Sequence, residues 1–190
     1  SDTMNIEKYP QYQLYKFTLL LEENKAMYIK PDIESRAVDG TIINRAYYSA
    51  YSYALLWLEE ISGFKLKQKW EYEAEGKKYV SEHRQVRDCL IKYEKMKASK
   101  NLYELHRLRK KADYKLFNPL TEKEINDSIK YMENVLNELI QFANNKIYVG
   151  ASAGSCIACP SIEYVEKLDD KTKQEYEEKS VIVQEQIMNV

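Results

Sequence analysis

Two histidines, His83 and His106, and one arginine-rich stretch hold most of the acid–base and phosphate chemistry in this sequence. An imidazole with a pKa of about 6.5 moves protons near neutral pH. A guanidinium keeps its charge and meets phosphoryl oxygens with a fork of donors. The stretch is His106-Arg107-Leu108-Arg109-Lys110-Lys111-Ala112-Asp113-Tyr114, which puts Arg109, Asp113 and Tyr114 close together on one helix. If His83 and Arg45 approach that face from neighbouring helices, the five form one polar site, and Tyr48 joins Arg45 and Asp113 as the binding groups. Tyrosine, with a pKa of about 10, is a poor base at pH 7, so Tyr114 would assist proton transfer rather than drive it. A plainer reading stands beside this one. Arg45 and Asp113 would be an inter-helix ion pair, the tyrosines would be core residues with bonded hydroxyls, and the basic strip would be a solvated face.

A second chemistry-bearing segment follows Asn145. Ile147-Tyr148-Val149 is a short β-type run, and Gly150-Ala151-Ser152-Ala153-Gly154 fits the G-x-S-x-G turn that exposes a nucleophilic serine. A serine needs a base to take its proton, and no histidine follows Ser152. The residues before it read as helices rather than as the sheet such a turn caps. Residues 144–190 are therefore expected to be an appendage, not an independent domain or an active serine peptidase. Cys156-x-x-Cys159 lacks the second ligand pair that zinc requires, so its spacing reads as incidental. No metal or cofactor is expected.

The elements that must position these groups are helical. Leu14, Phe17, Leu20 and Leu21 recur at three- and four-residue steps and predict a helix over about 6–29, ended by Lys30-Pro31. Ala46, Ala50 and Ala54 predict a second helix, from Ser35 or Asp39 to Ile61, whose small side chains let a neighbour approach closely. Ser62-Gly63 supplies its stop. Residues 64–78 carry five lysines around Trp70 and Tyr72 without a clear period. A third helix starts near Ser81, with Val86 and Leu90 inward, and a fourth near Ser99, with Leu102, Leu105, Leu108 and Ala112 inward. Thr121-x-x-Glu124 is a capping box opening a last helix to about Ala143. The sum is an all-α, up-down bundle of about five helices over residues 5–143.

Three segments in order resemble the HEPN family, in its small stand-alone branch. Arg45-Ala46-Tyr47-Tyr48 resembles an R-A-Y-Y signature, Ser81-Glu82-His83 an S-x-H element, and Leu108-Arg109-Lys110-Lys111-Ala112-Asp113-Tyr114 an L-R-x-x-A-D-Y element. The resemblance implies a homodimer in a toxin–antitoxin or phage-defence system, with a nucleotidyltransferase-type antitoxin as partner and RNA or a nucleotide as ligand. It also implies a metal-independent endoribonuclease in which an arginine works with a histidine a few residues later. At that place this chain has Tyr114, so the implied catalytic set is Arg109, His83 and Tyr114 with a degenerate pattern. The alternative is a non-catalytic helical module that binds RNA, a nucleotide or a protein. Separately, Tyr148–Ser155 followed by Cys159-Pro160-Ser161 resembles the nucleophile region of peptidase E-type serine dipeptidases, over residues 146–170.

Composition bounds these readings. Five glycines and four prolines are too few for the turns of an all-β chain of this length. Twenty-nine basic and thirty acidic residues give a net charge of −1, so any nucleic-acid contact must come from a local patch. Three cysteines make no disulfide framework, and no run of about 20 apolar residues is present, so a cytoplasmic location without membrane contact is expected.

Overall fold

The computed structural model describes residues 9–149, the last ten of them by their helical backbone alone. The G-x-S-x-G segment, Cys156 and Cys159 lie outside the described residues. Six α-helices make up the described chain: α1 (Pro10–Glu23), α2 (Ser35–Ser62), α3 (Lys69–Ala74), α4 (Glu82–Lys92), α5 (Met96–Tyr114) and α6 (Glu122–Val149). Among the described residues there is no strand beyond an isolated bridge between Lys30 and Ile33. The fold is an all-α bundle.

Local chemistry sets most helix ends. Pro10 occupies the first position of α1 and Tyr9 before it is extended, so the helix begins here rather than at Ile6. It stops at Asn24, and one 3-10 turn, Lys25–Tyr28, replaces the continuation to Ile29. Gly63 ends α2 with φ 64°, a conformation that costs glycine nothing. The Ser81 hydroxyl accepts from the Arg84 amide at 3.4 Å and opens α4. The capping box at α6 is complete: the Thr121 amide donates to Glu124 Oε1 at 3.1 Å, and the Glu124 amide donates to Thr121 Oγ1 at 3.1 Å. Glu124 also accepts from Lys111 Nζ at 2.9 Å, which ties α6 to α5. α3 is a short extra helix in the lysine-rich stretch, opened by the Gln68 amide donating to the Glu71 carboxylate at 2.6 Å. Ile147-Tyr148-Val149 is not a strand, because α6 runs through it.

α2 lies at the centre, packed against α1, α4 and α5. Ala46, Ala50 and Ala54 are fully buried, as their spacing predicts. One core cluster joins Val38, Ile42 and Ile43 of α2 to Leu108 and Ala112 of α5 and Ile125 of α6. Leu105 and Leu136 are also fully buried, and truncating either to alanine costs about 2–5 kcal/mol through lost transfer energy and the cavity left behind. On α1 the expected apolar face is only half used. Thr18 is buried, its hydroxyl donating to the Leu14 carbonyl at 2.7 Å, while Phe17 and Leu20 are more than half exposed. No helix among the described residues is long and apolar enough to cross a membrane.

Candidate functional site

Three helices each present polar groups at helical spacing to one another. α2 contributes Asn44, Tyr47, Tyr48 and Tyr51, separated by three, one and three residues, so they share a face. α4 contributes His83 and Arg87, one turn apart. α5 contributes His106, Arg109 and Asp113, at steps of three and four. Since α2, α4 and α5 pack together, the groups converge.

The two imidazoles form the centre. The His83 and His106 rings have centroids 4.4 Å apart. The buried Tyr47 ring stacks on His106 at 5.0 Å with an interplanar angle of 20°, and its hydroxyl lies 2.5 Å from His83 Nδ1. The Tyr51 ring packs 5.1 Å from His83. Arg87 Nη1 donates to His106 Nδ1 over a long 3.5 Å. A guanidinium only donates, so His106 Nδ1 carries the lone pair and its proton sits on Nε2. Burial, then His83 and the cations Lys110, Arg87 and Arg109, push the His106 pKa down to about 4. Burial, then Arg109 and Arg87, also lower that of His83. Both rings are therefore held toward the neutral form at pH 7. Burial raises the Tyr47 phenol and pushes Tyr51 up to about 12, so both stay protonated.

Arg109 is held beside this pair. Its Nε donates to Asp113 Oδ2 at 2.8 Å and its Nη2 to the Tyr114 hydroxyl at 3.3 Å. The guanidinium carbon sits 5.1 Å from the Tyr48 ring centre and 5.2 Å from that of Tyr114. Such placement adds cation–π attraction to the ion pair. Two of the guanidinium's N–H donors are thus engaged, and the rest can meet a phosphoryl oxygen.

Arg45 does not pair with Asp113, contrary to the ion-pair reading. Asn44 takes that role, its Nδ2 donating to Asp113 Oδ2 at 2.7 Å. Arg45 donates instead to Asn44 Oδ1, from Nη2 at 2.5 Å and from Nε at 3.0 Å, and lies 5.7 Å from the Tyr48 ring centre. The reason is geometric: adjacent residues on a helix point about 100° apart, so the side chain next door faces α5. The Asn44 amide accepts from a cation and donates to a carboxylate, linking Arg45 to Asp113 through a neutral group.

Arg45, Tyr48, Arg109, Asp113 and Tyr114 therefore lie in one continuous network. His83 joins it through Tyr47, whose ring packs edge-on against Tyr48 at 5.2 Å. Sequence reasoning missed Asn44, Tyr47, Tyr51, Arg87 and, above all, His106 as members of the site. The signal for His106 was present: it precedes Arg109 by three residues and so shares its helix face. Among the described residues no group of three or more His, Cys, Asp or Glu side chains is placed to hold a metal ion. Compared with protein-family models, curated proteins and solved structures, the chain matches none. Chemically, the arrangement offers neutral imidazoles and guanidiniums side by side, able to bind an oxyanion and move a proton.

Proposed function

We propose that this chain is a HEPN-type helical protein of a toxin–antitoxin or phage-defence system, acting as a metal-independent endoribonuclease. The observation that carries the reading is the His83–His106 pair, held toward neutrality and flanked by Arg87 and Arg109. In the reaction His83 takes the 2′-hydroxyl proton and O2′ attacks phosphorus. Arg109 receives the charge that builds on the phosphoryl oxygens. The bond to O5′ breaks, and the exposed Tyr114 phenol, bonded to Arg109, protonates the leaving oxygen. The products are a 2′,3′-cyclic phosphate and a 5′-hydroxyl. Solvent then returns the proton to Tyr114 and takes one from His83. A homodimer, a cytoplasmic location and a nucleotidyltransferase-type antitoxin partner belong to the same reading. The exposed Leu116 and Phe117, just after Tyr114, supply apolar surface for a second copy.

One observation favours a second reading, a non-catalytic module that binds RNA, a nucleotide or a protein. Arg87 uses the lone pair of His106, and if Tyr47 donates to His83 Nδ1, that ring's lone pair is used as well. Both imidazoles would then offer only Nε2–H groups, which suit holding a phosphate rather than taking a proton. Nuclease action requires the other His83 tautomer, with the proton on Nδ1. The deciding experiment incubates the protein with RNA in the presence of EDTA. Cleavage to cyclic-phosphate ends, lost in Arg109→Ala and His83→Ala, supports the enzyme. RNA left intact by the wild type but bound by it supports the module.

A further inference from the structure

A recess of about 470 Å³ runs along α4 and the first half of α5, apart from the tyrosine-lined centre. Arg84, Arg87, Lys97 and Lys100 line it, against a single carboxylate, Asp88, which pairs with Arg84 at 3.6 Å. A chain of net charge −1 has concentrated cations here. The same walls carry apolar surface that water does not favour: Ile91, Met96 and Tyr103 are 49%, 67% and 54% exposed. Arg87 joins the recess to the imidazole pair. Its guanidinium contacts His106 Nδ1 at 3.5 Å on one side and lies 5.4 Å from the Tyr103 ring centre on the other. The Ser99 hydroxyl donates to the Arg87 carbonyl at 3.1 Å and fixes α4 against α5 at this point.

Cations spaced along a groove, with an exposed aromatic ring among them, are what a single-stranded polynucleotide uses: phosphates meet the cations and a base stacks on the ring. An acidic peptide would use the cations but would have no need of the ring face. We propose that this recess is a subsite for single-stranded RNA, holding nucleotides that flank those at the His83–Arg109 face. Lys97 and Lys100 take the phosphates, Tyr103 takes a base, and Arg87 is the junction between subsite and centre. The inference rests on the reading that the centre acts on RNA.

The test uses the full chain and a labelled oligonucleotide of ~12 nucleotides carrying 2′-O-methyl groups, which has no attacking hydroxyl, so binding is read without cleavage. Fluorescence anisotropy gives Kd at about 50 mM and about 200 mM salt. Wild type binds. The Lys97→Glu/Lys100→Glu variant, on exposed side chains, weakens binding by about tenfold or more and makes the salt dependence shallower. Tyr103→Ala weakens it about fivefold or more, while Tyr103→Phe stays within about twofold of wild type. Lys123→Glu, on the exposed start of α6, changes it by less than about twofold. The proposal is overturned if the wild type does not bind, if the recess variants bind as tightly as it does, or if polyglutamate of equal charge competes as well as the oligonucleotide. The two readings fail separately. Unmodified RNA left intact by a protein that binds through Lys97, Lys100 and Tyr103 removes the nuclease and keeps the subsite. Cleavage by a protein whose recess variants bind normally removes the subsite and keeps the nuclease.

Discussion

The imidazole of His106 stands 4.4 Å from that of His83, and His83 lowers the readiness of His106 to take a second charge into the same half-buried space. A proton on one ring makes a proton on the other more costly. NMR titration of the ring protons should show His106 changing near pH 4 and His83 changing below the ordinary value of about 6.5. In His83→Gln the His106 value should rise but stay below about 6.5, because burial is its largest cause and His83 only the next. An unshifted His106 in the wild type would mean that the rings do not share this site. Nitrogen-15 shifts in the same samples report which ring nitrogen of His83 bears the proton.

The depressed values carry a stability consequence with a definite sign. The unfolded chain protonates both histidines at about pH 6.5, whereas the folded chain resists doing so until lower pH. The neutral rings therefore contribute full stability above about pH 6.5, and that contribution is lost as pH falls toward the folded values, near 4 for His106. Both rings are partly exposed, so screening limits the His106 contribution to about 1 kcal/mol, and His83 adds to it in the same direction. Between about pH 7 and 5, where ordinary carboxylates stay ionised, the wild-type Tm should fall more than that of His106→Gln. Parallel Tm curves for the two proteins would contradict this account.

Asp113 gathers donors from two helices, so its removal should be felt by both. Asp113→Ala leaves the Asn44 amide and the largely buried Arg109 guanidinium without their carboxylate, at a cost of about 1–3 kcal/mol. Double-mutant cycles separate this arrangement from a direct Arg45–Asp113 pair. Coupling of about 0.5 kcal/mol or more is expected for Arg109 with Asp113 and for Asn44 with Asp113, and less for Arg45 with Asp113. Urea denaturation of the single and double variants measures it. A larger coupling for Arg45 than for Arg109 would restore the direct ion pair.

The parts of the fold that the sequence made legible are those where one local rule acts without rivals. The Ala46–Ala50–Ala54 stripe, the Gly63 stop and the Thr121–Glu124 box each depend on residues within two turns, and each stands as read. Ile147-Tyr148-Val149 has β-type side chains, yet it continues a helix already propagating from Glu122, and propagation outweighs a weak strand preference. Phe17 and Leu20 had the right period but not the right partner: α2 meets α1 on the face that buries Thr18. In the site, Arg109, Asp113 and Tyr114 were legible because they are neighbours on one helix. The exchange of Arg45 for Asn44 was not, because it depends on the rotation of α2 against α5, which no spacing in either helix specifies.

That rotation is itself held by a contact at the start of α2. Arg36 reaches across to the C-terminal end of α5, donating to the carbonyls of Ala112 at 3.1 Å and the cap residue Lys115 at 3.2 Å, and to that of Asn118 in the turn beyond at 2.8 Å. The last carbonyls of a helix lack intrahelical partners and carry partial negative charge, so a guanidinium there satisfies them and offsets the dipole. Arg36→Ala should cost about 1–3 kcal/mol in urea denaturation. Gly40, one turn on, makes room for this arm: a Cβ at that position would stand 2.7 Å from Arg36 Nη1. Glycine inside a helix ordinarily costs about 1 kcal/mol relative to alanine, so Gly40→Ala gains that preference while displacing the guanidinium. In the wild-type background the two effects should largely cancel or leave a net loss. In the Arg36→Ala background only the gain remains, and Gly40→Ala should stabilise by up to about 1 kcal/mol. Equal effects of Gly40→Ala in both backgrounds would show that the glycine serves something other than the arginine.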